Sequence, residues 1–424
     1  MDYRSNYVPK TKKVNYKLVV PFLFVLALLI VYGINALRPT PVENQEQFAF
    51  CRMTPEESRS VIKKNLTDNV IEFSDYGVYG QSLGLYGADY QVTTADPFNG
   101  RTVFLTNLCT GTEQVFLMGA ELDAKIPMNA LDPGFYIIEV SVGFERSRLI
   151  ADEKMDEVFH ATSRSGEARE VRLIANKNLF NTNEETIMDQ HYAFLDVKNT
   201  QIDANTYDVV LDPSGLYDDM GMILHGSEFK DFVESKEMYR MAEAIEAHLT
   251  SAGYKVKIVR EKDKPRDTND VNGRLHAGYL ADAKYYVNLT MLQQPYPKET
   301  GASIIYSSHA TSRMASTIAK QLEAQTTLEL FDYGSNEGIV QTSKVEGYDN
   351  NAKIREAGGR FTGAGVLEEF KEWNIFAKDS NRGMQGTVIE FGYIEDTKAY
   401  TTWFAEFDQI AKAVADGIAI ELAS

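Results

Sequence analysis

Two glutamates in the C-terminal half of the chain could share one cleft and do chemistry there. Glu234 begins a predicted helix, and Glu390 lies at the end of a predicted strand. Two carboxylates in one cleft repel each other and raise one of their pKa values unless a cation lies between them. Arg260, Arg274 or Arg382 could supply that cation, and Arg260 and Arg274 are candidate binding residues. Structural roles stay open as well, because a carboxylate is stabilised at a helix N-terminus and Glu390 could pair with an arginine.

The pattern from residue 205 to 424 predicts the scaffold that positions these residues. Strand-like apolar segments, at 207–212, 254–259, 285–289, 303–306 and 387–391, alternate with helical ones, at 234–252, 274–279, 312–322 and 403–422. This alternation predicts an α/β fold with a mostly parallel sheet and helices on both faces. Binding sites in such sheets lie beyond the carboxyl ends of the strands. Those ends carry Asp212, Arg260, Thr290 and Glu390.

Six short runs follow one another in this region in a fixed order. They are LDPSGLY at 211–217, Glu234 with Ala252 and Gly253, VREKD at 259–263, Arg274 with Ala277 and Gly278, VNLT at 287–290, and IEFGY at 389–393. Their order and spacing resemble the motifs of the zinc-dependent N-acetylmuramoyl-L-alanine amidases of the amidase-3 type, which are cell-wall hydrolases. The resemblance covers about residues 206–423 and implies the same amidase-like α/β fold.

The resemblance also implies a catalytic zinc held by two histidines and one glutamate, with a fourth position for the attacking water. By motif spacing, the histidine positions fall on Gly215 and Thr290, and only Glu234 keeps the residue type of the family. Since glycine has no side chain and threonine is a poor zinc ligand, we expect no zinc at this site. His225 is a speculative replacement ligand, and Glu390 holds the position of the general base.

These implications lead to three functional hypotheses. The leading one is a non-catalytic protein that needs no cofactor and binds, scaffolds or regulates at the cell wall, with peptidoglycan or an envelope protein as its partner. The alternative is an active amidase that holds zinc through Glu234 and His225 and uses Glu390 as the general base. The third is a protein-interaction module whose C-terminal fold serves only as a spacer.

The first 48 residues predict a membrane anchor. Residues 18–37 contain no charge, and a helix of this length spans the bilayer core of about 30 Å. Residues 1–17 carry five basic residues and one acidic residue, which predicts a cytoplasmic N-terminus and extracytoplasmic domains. Residues 38–48 are polar, contain two prolines and predict a stalk. The sequence therefore predicts a single-pass protein of the cell membrane.

Residues 49–204 predict a β-rich, sandwich-like extracytoplasmic domain. After a short helix that Thr54 would cap and Pro55 would begin, β-branched and aromatic segments are bounded by turn residues. Cys51 and Cys109 would face an oxidising compartment and could pair, but their spacing leaves the disulfide open.

The charge of the chain excludes one large class of partner. The sequence has 43 Lys and Arg residues against 61 Asp and Glu residues, for a formal net charge of −18. A protein this acidic repels the phosphate backbone, so a general nucleic-acid binder is excluded.

Overall fold

The computed structural model describes residues 48–79, 82–86, 98, 100–118, 126–162, 167–201, 206–293, 301–307, 310–332, 337–345, 348–357 and 384–423. The predicted segments 1–17 and 18–37 lie outside these residues, as does the predicted stalk up to residue 47. Within the described part of the chain, no helix is both long enough and apolar enough to cross a bilayer. The residues from Ala49 onwards form one compact unit.

The first part of this unit is almost entirely β-structure. The described residues up to 199 form helix α1 (Pro55–Lys64), a 3-10 turn (Met128–Ala130) and the strands β1 (Val70–Phe73), β2 (Asp75–Tyr79), β3 (Ser82–Tyr86), β4 (Arg101–Asn107), β5 (Glu113–Met118), β6 (Ile126–Pro127), β7 (Gly134–Val142), β8 (Glu145–Ala151), β9 (Met155–Thr162), β10 (Ala168–Ala175) and β11 (His191–Asn199). Helix α1 begins where the sequence predicts it. Thr54 and Glu57 form a reciprocal capping box, and Pro55 opens the first turn.

Two sheets enclose the core of this part. The larger sheet has the order β5-β4-β7-β8-β11-β10-β9 with β1 added parallel to β8, and the smaller sheet has the order β2-β3-β6. Buried side chains from both sheets, such as Val78 and Leu85 of the smaller sheet and Val103 and Leu195 of the larger, belong to one apolar cluster. The shared cluster is what a sandwich-like arrangement requires.

Cys51 and Cys109 form a disulfide, with their Cα atoms 5.1 Å apart. The bond joins the segment before α1 to the turn between β4 and β5. The N–H of Phe135 donates a hydrogen bond to the Cys109 sulfur at 3.3 Å, so the bond is tied to β7 as well.

The second part of the unit is the predicted α/β region. Its described strands are β12 (Val209–Pro213), β13 (Tyr217–Asp219), β14 (Met222–Leu224), β15 (Glu228–Phe229), β16 (Phe232–Val233), β17 (Val256–Ile258), β18 (Tyr285–Leu292), β19 (Ser303–Tyr306), β20 (Ile339–Gln341), β21 (Lys344–Val345), β22 (Tyr348–Asp349) and β23 (Gln385–Tyr393). Its described helices are α2 (Glu234–Ser251), α3 (Arg274–Leu280), α4 (Arg313–Gln325), α5 (Ala352–Glu356), α6 (Thr397–Ala405) and α7 (Phe407–Leu422).

The central sheet of this region has the order β17-β12-β18-β23-β19-β20. All its neighbouring strands are parallel except β19 and β23, which are antiparallel. Alternate residues of β12 face opposite layers: Val209 and Leu211 pack with α2, α4 and α7, whereas Val210 packs with α3. Helices therefore cover both faces, and the predicted α/β fold is confirmed.

One helix boundary differs from the sequence prediction. The segment 403–422, predicted as one helix, belongs to two helices that are separated at Glu406. The Glu406 carboxylate accepts hydrogen bonds from the N–H and the hydroxyl of Thr327, both at 2.6 Å. This side chain is thereby held by a neighbouring segment, at a residue whose backbone is not helical.

Candidate functional site

A cavity of about 540 Å³ lies where β12 and β18 end. Its lining residues are Ser214, Gly215, Tyr217, Gly226, Glu234, Asp267, Thr268, Asn269, Asp270, Arg274, Thr290 and Lys353. The volume is within the range of about 300–1,000 Å³ that is usual for small-molecule sites. Of the residues singled out from the sequence, Glu234, Gly215, Thr290 and Arg274 line this cavity, whereas Glu390, Arg260 and His225 are not among its lining residues.

The Glu234 carboxylate is buried at the wall of the cavity and is surrounded by hydrogen-bond donors. Its Oε1 accepts hydrogen bonds from Thr290 Oγ1 at 2.7 Å and from the Met291 N–H at 3.2 Å. Ser214 Oγ donates to the same oxygen. Its Oε2 accepts from the Ser227 N–H at 2.7 Å. Since a carboxylate has about four lone-pair sites, the three donors saturate Oε1, whereas the single donor at Oε2 leaves that oxygen one further site.

Gly215 has a conformation and surroundings that suit glycine alone. Its φ angle is +74°, in the left-handed region that disfavours larger residues. A Cβ at this position would lie 2.6 Å from the carbonyl oxygen of His225 and 2.9 Å from the Cα of Ser235. The chain around His225 therefore fills the space that a side chain at position 215 would need.

The residues at this site do not fit a catalytic zinc. Such a metal needs three protein ligands whose lone pairs point at it. Thr290 and Gly215 offer no imidazole, and three donors already converge on Oε1 of Glu234. His225 Nδ1 lies 2.9 Å from Ser235 Oγ. Among the residues that the structure describes, no three His, Cys, Asp or Glu side chains form a group able to hold a metal.

A buried ion pair forms the floor of the site. Arg274 Nη1 donates to Asp212 Oδ1 at 3.0 Å, and both side chains are at least 96% buried. The other Asp212 oxygen accepts from Asn288 Nδ2 at 2.8 Å. Arg274 Nη2 donates to Thr268 Oγ1 at 2.9 Å. Since Thr268 lines the cavity, Arg274 connects Asp212 of β12 to a second segment of the cavity lining.

Arg260, for which the sequence suggested a ligand-binding role, instead holds the backbone of the site. Its guanidinium donates to the carbonyl oxygens of Pro213 at 2.9 Å and Ser235 at 2.6 Å. It also donates to the Ser214 carbonyl at 3.3 Å. Burial, followed by the charge of the neighbouring Arg274, lowers the pKa of Arg260 to about 10. These bonds fix the loop that follows β12 against the first turn of α2.

Glu390 lies on β23, opposite Thr290 of β18 in the register of the sheet. Burial raises the pKa of Glu390 above its ordinary value of 4.5, and the positive charge of Lys353 offsets part of that increase. The carboxylate is therefore poised to keep a proton at a higher pH than an exposed glutamate.

The raised pKa of Glu390 predicts a pH dependence of stability. Between the ordinary value of 4.5 and the higher folded-state value, the folded protein binds more protons than the unfolded chain, so stability falls as the pH rises. We expect Glu390→Gln to remove this contribution, so that its stability relative to the wild type improves as the pH rises from 4 to 7. Urea unfolding at several pH values measures this difference, with Glu323→Gln at an exposed position of α4 as the matched control. If the difference in unfolding free energy between Glu390→Gln and the wild type did not change with pH, the raised pKa of Glu390 would be contradicted.

Sequence reasoning did not identify Ser214, Ser227 or Lys353 as residues of this site. Ser214 lies within the LDPSGLY run, next to Gly215, and could have been noticed there as a hydroxyl donor. Ser227 and Lys353 carry no signal in the sequence. Ser227 acts through its backbone N–H, and Lys353 belongs to a short helix that the pattern did not predict.

A family model described as N-acetylmuramoyl-L-alanine amidase matches residues 209–420, which is half of the chain. A search of the curated proteins found no match.

Several solved structures are similar to the α/β region. The N-acetylmuramoyl-L-alanine amidase from Clostridium difficile 630 is 18% identical with a TM-score of 0.36, over 52% of this chain and 99% of that chain. The catalytic domain of CwlV, an N-acetylmuramoyl-L-alanine amidase from Bacillus (Paenibacillus) polymyxa var. colistinus, is 19% identical with a TM-score of 0.34, over 51% of this chain and 98% of that chain. Cwp6 from Clostridium difficile is 17% identical with a TM-score of 0.34, and the alignment covers 51% of this chain but 29% of Cwp6.

Proposed function

This chain belongs to the N-acetylmuramoyl-L-alanine amidase family through residues 209–420, and from that premise we propose that it binds cell-wall peptidoglycan without hydrolysing it. In this role it acts as a scaffold or regulator of wall organisation, with the cavity at the ends of β12 and β18 as the binding site. Residues 18–37 anchor the chain in the cell membrane, and the domains that follow lie outside it.

The observation that carries this proposal is the set of donors around Glu234. Two hydroxyls and two backbone N–H groups occupy the carboxylate, and neither Gly215 nor Thr290 provides an imidazole. A family member without its zinc ligands keeps the shape of the cavity but lacks the means to polarise an amide. Ligand binding needs only that shape and the polar groups of the wall.

The test combines metal analysis with binding to purified wall sacculi. We expect the full chain to retain no stoichiometric zinc after dialysis against zinc, to bind sacculi, and to release no soluble wall fragments. Asn269→Trp, an exposed position at the cavity, should weaken the binding, whereas the control Asn183→Trp, at an exposed position outside the cavity, should not. One zinc per chain together with release of wall fragments would contradict the proposal. If the chain captured an envelope protein but did not bind sacculi, that protein, and not peptidoglycan, would be the ligand of the site.

An active amidase is the second candidate, and the raised pKa of Glu390 favours it. A carboxyl group with a raised pKa is better matched to proton transfer near neutral pH. In this case the wild type should lyse wall material in a zymogram, and Glu390→Gln should abolish the lysis. Absence of lysis by both proteins would leave the binding role as the function of the site.

A further inference from the structure

Two cations line the cavity among the described residues, and only one of them is available to a ligand. Arg274 is buried and its Nη atoms bond to Asp212, Thr268 and the Pro213 carbonyl. Lys353 is exposed, and within the described part of the chain its ammonium group donates one hydrogen bond, to Asn288 Oδ1 at 3.1 Å. Because an ammonium group has three N–H donors, Lys353 can offer two more to a ligand.

The Lys353 ammonium group is also held in place. Its acceptor, Asn288, is buried, and its Nδ2 donates to the carboxylate of Asp212 at 2.8 Å and to the Asp212 carbonyl at 3.1 Å. These two bonds fix the amide so that Oδ1 points towards Lys353. The cation is thereby positioned by the same network that holds Arg274.

The remaining charges of the cavity restrict the ligand. Glu234 already accepts four hydrogen bonds, and among the described residues none of them comes from Lys353. Asp267 and Asp270 also line the cavity, and the charge of Lys353 also acts on Glu390, so a ligand that carries several negative charges would be repelled. A ligand with a single carboxylate is repelled less, and beside Lys353 that carboxylate gains the attraction of the ammonium group.

We infer that Lys353 anchors a single carboxylate of a wall peptide in this cavity. The inference rests on the proposed function, because it names the ligand group that the peptidoglycan-binding site selects. It assigns to Lys353 a role in specificity, with Asn288 as the residue that positions it.

The experiment measures the affinity of the full chain for N-acetylmuramoyl-L-alanyl-D-isoglutamine, which has one free carboxylate, and for its methyl ester, which has none. We expect the wild type to bind the acid about tenfold or more tightly than the ester, the difference that a charged hydrogen bond provides. Lys353→Met should remove this preference, Lys353→Arg should keep part of it, and Lys320→Met, at an exposed position of α4, should leave it unchanged. Inorganic phosphate at equal concentration should compete poorly.

The outcomes separate this inference from the proposed function. Equal affinity for the acid and the ester, no binding of the acid, or an unchanged preference in Lys353→Met would overturn the role of Lys353. If phosphate competed as strongly as the acid, the assignment of a carboxylate as the ligand group would be wrong. Binding of sacculi by the wild type in any of these cases would leave the proposed function intact. Failure to bind sacculi, with the acid preference present and dependent on Lys353, would overturn the proposed function alone.

Discussion

Arg274→Met is expected to lower the free energy of unfolding by about 3–5 kcal/mol, because it leaves the Asp212 carboxylate buried without its cation. Both side chains are at least 96% buried, so the carboxylate would remain in surroundings that disfavour its charge. Asn288 would still donate to one oxygen of Asp212, but a neutral amide does not compensate a buried charge. Urea unfolding followed by circular dichroism measures the change.

Two further variants show whether the effect comes from the unpaired charge. Asp212→Asn combined with Arg274→Met removes both charges, and we expect the double variant to be more stable than Arg274→Met alone. Arg240→Met removes a half-exposed arginine that pairs with Glu237 on α2, and we expect a loss of roughly 1 kcal/mol or less. A loss in Arg274→Met no larger than that in Arg240→Met would contradict the account.

The same substitution should also affect the cavity. Arg274 donates a hydrogen bond to Thr268, and Thr268 lines the cavity together with Lys353. Without this bond the segment that carries Asp267 and Asn269 loses a contact that fixes its position. A folded Arg274→Met protein is therefore expected to bind wall sacculi less tightly than the wild type.

The sequence predicted the scaffold because the scaffold depends on periodicity. Apolar runs bounded by turn residues gave the strands, and the 3.6-residue period gave α2 and α4. The predicted strand end at Thr290 lies beside the cavity, since the carboxyl ends of neighbouring parallel strands meet at one edge. In this region the local hydrophobic pattern favours the same architecture as the packing of the whole fold.

The contacts within the site could not be predicted because they depend on loop conformation. Glu234 meets Ser214 and Thr290, which are 20 and 56 residues away in the chain. Its contact with Ser227 uses a backbone N–H, which every residue except proline possesses. The position of Arg260 at a strand end suggested ligand binding. In the structure its guanidinium is buried and donates to carbonyl oxygens of the backbone, and the sequence pattern does not reveal that burial.

Replacing both cysteines by serine is expected to lower the free energy of unfolding by about 4 kcal/mol, because the disulfide closes a long loop of the unfolded chain. Cys51 and Cys109 are separated by 58 residues. The constraint reduces the conformational entropy of the unfolded state, and the same loss should follow when the wild type is reduced. Urea unfolding with and without dithiothreitol measures both effects.

The double cysteine variant should be insensitive to dithiothreitol, and this insensitivity is the internal control of the experiment. The bond also bears on the proposed location of the chain, because disulfides persist in oxidising compartments and are rare in the cytosol. If residues 18–37 anchor the chain with its later domains outside, Cys51 and Cys109 of the protein in intact cells should not react with a maleimide until a reductant is added. Reaction without reductant, together with equal stability of wild type and double variant, would contradict both the loop-closure argument and the extracytoplasmic location.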